Sequence, residues 1–119
     1  MSDPIRTPLP SSATPISPHV PSSNTAAVVT LAAETGLCHV VSQVTFSYDG
    51  TPTGGSLTIA HGPGPTTKFS VPVTSGGVGP ISFNPPLKFP SGEAVVCTLA
   101  AGGSGVSGRL NVNAHTESP

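Results

Sequence analysis

CHVVSQVTFSYDGTPTGGSLTI, residues 38–59, is the stretch on which the reading of the chain turns. Its first arm alternates. Cys38, Val40, Val44, Phe46 and Tyr48 share one face, interrupted at Ser42, and His39, Gln43, Thr45, Ser47 and Asp49 share the other, interrupted at Val41. Alternation with period two marks a strand that is dry on one side and wet on the other. Asp49-Gly50 and Gly54-Gly55, with Pro52 between them, punctuate a turn. Leu57 and Ile59 then point inward, and Ser56 and Thr58 outward. The expectation is a β-hairpin with its apolar faces toward one core.

The same grammar runs outward in both directions. Toward the N-terminus, Ala26–Ala33 reads as a strand with Val29 and Leu31 inward. Beyond the hairpin, Gly62-Pro63-Gly64-Pro65 makes a loop. Lys68–Val73 is a strand with Phe69, Val71 and Val73 inward, and Pro72 marks it as an edge, because proline cannot donate to a ladder. Ser75-Gly76-Gly77 turns. Ile81 and Phe83 form a short strand stopped by Pro85-Pro86, and Leu87 and Phe89 fold over the core as a loop. Ala94–Ala100 points Val95, Cys97 and Leu99 inward. Val106–Val112 closes the fold with Leu110 and Val112 inward and Arg109, Asn111 and Asn113 outward.

No helical period persists for ten residues. About seven short strands separated by Gly and Pro turns predict an all-β fold, a single small β-sandwich of jelly-roll or Greek-key type. An immunoglobulin topology is disfavoured. Cys38 and Cys97 have suitable spacing, but no Trp follows the first, and Val95 occupies the place of the tyrosine corner. Three segments result: an extended arm over 1–24, a sandwich over 25–113 and a polar C-terminal tail over 114–119.

The arm, MSDPIRTPLPSSATPISPHVPSSN, holds six prolines and six serines. It cannot build a core and is expected to be extended, largely polyproline II. At about 3.1 Å per residue it reaches on the order of 70 Å. Ile5, Leu9, Ile16 and Val20 are isolated apolar side chains along it, expected to act as pegs that bind a partner.

Composition narrows function. Charged residues are 8% of the 119-residue chain and the net charge is −1, which argues against nucleic acid as a partner, since phosphates demand clustered Lys and Arg. Arg6, Lys68, Lys88 and Arg109 are scattered. No run approaches the roughly 20 apolar residues of a membrane span, and MSDPIRTPLP lacks the pattern of a signal peptide. Synthesis in a cytoplasm is therefore expected. Cys38 and Cys97 pair as an inter-sheet disulfide or stay as two buried thiols; the thiols fit that compartment better.

Catalytic and cofactor motifs find no support. Gly103-Ser104-Gly105-Val106-Ser107-Gly108 has GxGxxG spacing but precedes a strand, not a helix. His19, His39, His61 and His115 lack metal-ligand spacing. His39 and Asp49, assigned to one face of one strand, stand about 33 Å apart along it. There is no GxSxG elbow, and the five acids form no recognisable pair. One tyrosine and no tryptophan weaken sugar stacking. The expectation is no enzyme activity, no cofactor, no metal site and no small-molecule substrate. The outward Ser, Thr, Asn, Gln and Ala suit close contact with another protein, because interface centres are poor in charge.

An extended arm on a small Gly-rich sandwich, with SYDGTPTGGSLTI (47–59), GPISFNPPLKFPSGEAVVCTLAAGG (79–103) and SGRLNV (107–112), resembles the decoration or cement proteins of tailed-phage capsids. The resemblance implies a structural virion protein on the capsid surface. It implies a homo-oligomer, often a trimer, that locks the major capsid protein lattice. A tail, fibre or baseplate module that recognises a host surface is the alternative, and a cell-surface adhesion module is a third reading that a Cys38–Cys97 bridge would favour.

Overall fold

The computed structural model describes residues 24–73 and 80–119. Seven strands follow in order: β1 (Ala27–Leu31), β2 (Cys38–Tyr48), β3 (Ser56–His61), β4 (Thr66–Pro72), β5 (Ile81–Lys88), β6 (Val95–Leu99) and β7 (Gly108–Glu117). They form two antiparallel sheets, β1-β6-β3-β4 and β5-β2-β7. One cluster of side chains from both sheets fills the space between them, including Val41, Val44, Leu57, Ile59, Cys97, Leu99, Leu110 and Val112. The fold is the expected all-β sandwich. Its order is not that of an immunoglobulin domain, because β1 pairs with β6 and not with β2.

The hairpin expected over 38–59 does not form. β2 and β3 lie in opposite sheets, and the seven residues between them carry the chain across one end of the sandwich. Thr53 fastens this crossing by donating its N–H to Gly102 O at 2.9 Å. The reason is physical. Alternation reports which face of a strand is buried, and a buried face is satisfied equally by a strand alongside or a strand opposite. Among the described strands the consecutive pair that forms a hairpin is β3–β4, turning at Gly62–Pro65.

The faces assigned to the start of β2 are also reversed. Val41 pairs with Ala114 and Gln43 with Asn113, so Ser42 is an extra residue, a β-bulge. The bulge resets the parity. Upstream of it His39 and Val41 point to the core and Cys38 and Val40 to the outer face; downstream, Val44, Phe46 and Tyr48 point in as expected. The inward partners across the ladder agree, since Thr116, Ala114, Val112 and Leu110 are all buried.

Two further boundaries move. β5 continues through Pro85-Pro86 to Lys88, where the expectation was a stop; its pairing with β2 jumps from Ser82 to Leu87. That strand sits at a sheet edge, where a missing N–H is tolerated. Leu87 therefore belongs to β5, and Phe89 alone is the buried cover, 2% exposed. β7 runs to Glu117, so most of the expected tail over 114–119 is strand, held by pairing as far as Cys38↔Glu117. The inward sets of β1 and β6 stand as read, with Val29, Val95, Cys97 and Leu99 buried. β4 is an edge strand as expected from Pro72. Residues 1–23 of the arm expected over 1–24, with Ile5, Leu9, Ile16 and Val20, and the turn at Ser75-Gly76-Gly77 lie outside the described residues.

The two sheets are laced at several points. Tyr48, buried on β2, donates its hydroxyl to Ala100 O beyond β6, and Gly102 and Gly108 leave room for its ring: a Cβ on Gly102 would stand 2.8 Å from Tyr48 Cδ1 and 2.6 Å from Val106 Cγ1. At the other end, His39 Nε2 lies 2.7 Å from Ala32 O. A carbonyl only accepts, so this nitrogen carries the proton.

Candidate interaction face

The outer face of the β5-β2-β7 sheet is the surface that the outward Gln, Thr and Asn residues build. Gln43↔Asn113 and Thr45↔Asn111 are cross-strand pairs, and alternation turns all four side chains outward. Together with the backbone at Val112 they line a shallow depression of about 70 Å³. Gln43 Nε2 donates to Ser82 Oγ on β5 at 3.0 Å, and the bulge residue Ser42 donates its hydroxyl to Asn113 O at 3.0 Å. The bulge thus does two things: it sets the parity of β2 and ties the rim of the depression to β7.

Charge is confined to the two ends of this face. Arg109 stands at one end, beside Ser47. At the other, Lys88 Nζ lies 3.5 Å from Glu117 Oε1 and His115 Nε2 lies 2.9 Å from Glu117 Oε2. The His115 hydrogen bond is the main cause that holds the Glu117 carboxyl below the usual glutamate range; desolvation opposes it, and the charges of His115 and Lys88 lower it further. Cys38 pairs with Glu117 and Val40 with both His115 and Lys88. The outward Cys38 and Val40 are nevertheless each only 3% exposed, on the same face as these side chains.

The two cysteines are free and lie in opposite sheets, Cys38 on an outer face and Cys97 in the core. Burial pushes the Cys97 thiol up to about 12, so it is a neutral, packed side chain.

The remaining sequence candidates are dispersed. His39 is internal. Asp49 Oδ1 accepts the N–H of Ser107 at 2.8 Å and serves a turn. His61, at the end of β3, is 2.7 Å through Nδ1 from Glu93 Oε1, and its ring meets Phe89 with centroids 5.3 Å apart. A separation of 32 positions between His61 and Glu93 hid this pair from sequence reading. His115 and Glu117 could have been found, since residues two apart on a strand share a face. Among the described residues no group of three or more His, Cys, Asp or Glu is placed to hold a metal ion, and no helix is long and apolar enough to cross a membrane.

Set against known proteins, the chain matches no family model, no curated protein and no solved structure. The reading of function therefore rests on the chemistry of the surface.

Proposed function

We propose that the chain is a structural virion protein that decorates a capsid, binding the major capsid protein lattice through its outer sheet face and its N-terminal arm. The observation that carries this reading is the uncharged centre of that face. Gln43, Thr45, Asn111 and Asn113 offer amide and hydroxyl donors and acceptors with charge kept to the ends. Such a surface meets another protein without the cost of desolvating ions. Repetition on a lattice multiplies a weak contact of this kind.

The test is co-sedimentation of the full chain with expanded shells assembled without it. Thr45→Lys with Asn111→Lys places two cations in the centre of the face, on outward positions that the core does not use. Loss of shell binding with an unchanged circular dichroism spectrum is expected. Undiminished binding by the folded double variant refutes the assignment to this face. Counting copies on intact particles separates the alternative, because a module of the tail, fibre or baseplate is present in few copies and a shell protein in hundreds.

A further inference from the structure

The open side of the sandwich carries a second surface. β4 and β5 are edge strands of different sheets, and they meet through Phe69 and Phe83, whose rings are 5.0 Å apart, edge to face at 82°. With Val71, Ile81 and Leu87 they form a seam that packs on the core and stays partly exposed. Neither border suits an added strand. Val73 N–H donates to Gly55 O, so two-residue alternation directs Val71 and Phe69 to β3 and leaves Ser70 and Pro72 facing the free edge. Pro72 has no donor there. On β5, residues 83–86, with exposed Pro85 and Pro86, have no register partner on β2. An occupant must therefore bind by side-chain packing.

The sequence contains a segment with that chemistry. Pro15, Pro18 and Pro21 recur every third residue in PISPHVP. A polyproline II helix has three residues per turn, so these three rings fall on one ridge, and ridges of this PxxP kind dock on aromatic-lined grooves. The ridge is about 19 Å long, and the seven residues of β4 span about 20 Å.

We propose that residues 15–21 of one copy seat as a polyproline II helix on the Phe69–Phe83 seam of a second copy. The tether gives the reason for a second copy. Pro21 is three residues from Asn24, whose N–H donates to Val106 O just ahead of β7, a reach of about 9 Å. β1 and β4 are the first and last strands of their sheet, about 14 Å apart. The full ridge cannot lie on its own seam. The contact joins two different surfaces, so it closes by reciprocal exchange in a dimer or around a ring, or it propagates. It leaves Ile5 and Leu9 free for another partner. It involves only copies of this chain and is tested with no shell present, so its failure is separate from failure of the proposed function.

The experiment is sedimentation velocity of the full chain over a concentration series. The wild-type chain is expected to self-associate. Pro15→Ser, Pro18→Ser and Pro21→Ser together should weaken association at least about tenfold, while Pro4→Ser, Pro8→Ser and Pro10→Ser together leave it unchanged. A circular dichroism spectrum of each triple variant checks that it is folded, so loss of fold does not confuse the result. A mixed isotope-labelled sample should show intermolecular proton contacts between the ridge prolines and the Phe69 and Phe83 rings. A chain that stays monomeric, equal association of both triple variants, or ring contacts that persist in the monomer would each overturn the proposal.

Discussion

The two sheets solve one packing problem in different ways. In the four-stranded sheet the central pair is regular: β3 and β6 run from Leu57↔Leu99 to His61↔Val95 without a break, and every inward side chain of β6 is fully buried. In the three-stranded sheet the central strand β2 carries a bulge at Ser42, and its neighbour β5 omits residues 83–86 from the ladder. The sheet with the unbroken central pair presents one dry face. The bulged sheet buries side chains on both of its faces, with His39 and Val41 inside and Cys38 and Val40 on the outer face. The four-stranded sheet keeps its one register shift at the edge pair, between Ile59 and Ala60 against β4, whereas the three-stranded sheet has its bulge on the central strand, where it shapes the candidate face directly through the Ser42–Asn113 hydrogen bond.

Single-residue deletions break this comparison most sharply. Deleting Thr98 from β6 forces Cys97 and Leu99 onto opposite faces, and exposing either part of the strand's core set removes on the order of 2–5 kcal/mol per side chain. That chain is expected not to fold, as read by loss of a cooperative thermal transition. Deleting Ser42 joins Val41 to Gln43 and keeps His39, Val41 and Val44 facing inward. A cost of about 1–2 kcal/mol, one side-chain hydrogen bond and local strain, is expected in urea unfolding. Equal loss in the two deletions would show that the bulge is required by the fold and not merely tolerated.

The cysteines sharpen the comparison at a single atom. Cys97→Ser places a hydroxyl among apolar core side chains and should cost about 1–3 kcal/mol, whereas Cys38→Ser, buried too but on the face that Glu117 shares across the ladder, has polar groups near it and should cost less, about 1 kcal/mol. Alkali adds a second reading. The raised Cys97 value means that the folded state holds its proton more tightly than the unfolded chain. The stability linked to that proton is present below the ordinary thiol value near 9 and is lost as pH rises toward about 12. Unfolding midpoints measured between pH 8 and 11 should fall less steeply in Cys97→Ala than in the parent.

The smallest expected effect lies at the charged end of the outer face. The Glu117 carboxyl is held below its ordinary value, so its contribution is present above about pH 4.5 and disappears as pH falls through the lowered value. The group is 45% exposed, and water and salt screen it. Glu117→Gln should shift stability at pH 7 by no more than about 0.5 kcal/mol. A larger loss in thermal melts would show that this carboxylate organises the charged end of the face beyond its ion pairs with Lys88 and His115.

Much of the architecture was legible because each clue was local. Val95, Cys97 and Leu99 could be assigned inward from three alternate positions, and Pro72 identified an edge from one missing donor. The candidate face was legible only in part. Asn111 and Asn113 were read as outward from the alternation of β7, and Gln43 and Thr45 from β2. That these four lie side by side required the β2–β7 pairing, which joins residues more than sixty positions apart.

By itself, then, the amino-acid pattern determined that the chain is all-β, that about seven strands share one core, and which residues of the unbulged strands fill it. Those follow from period-two burial and from turn chemistry, which act within a few residues. Tertiary structure alone decided that β2 and β3 lie in opposite sheets instead of pairing, that Ser42 is the residue left over, that β7 extends to Glu117, and that His61 meets Glu93. Each of these depends on which distant strand lies alongside. Local alternation is the same for every choice of neighbour, and only the joint packing of both sheets selects among them.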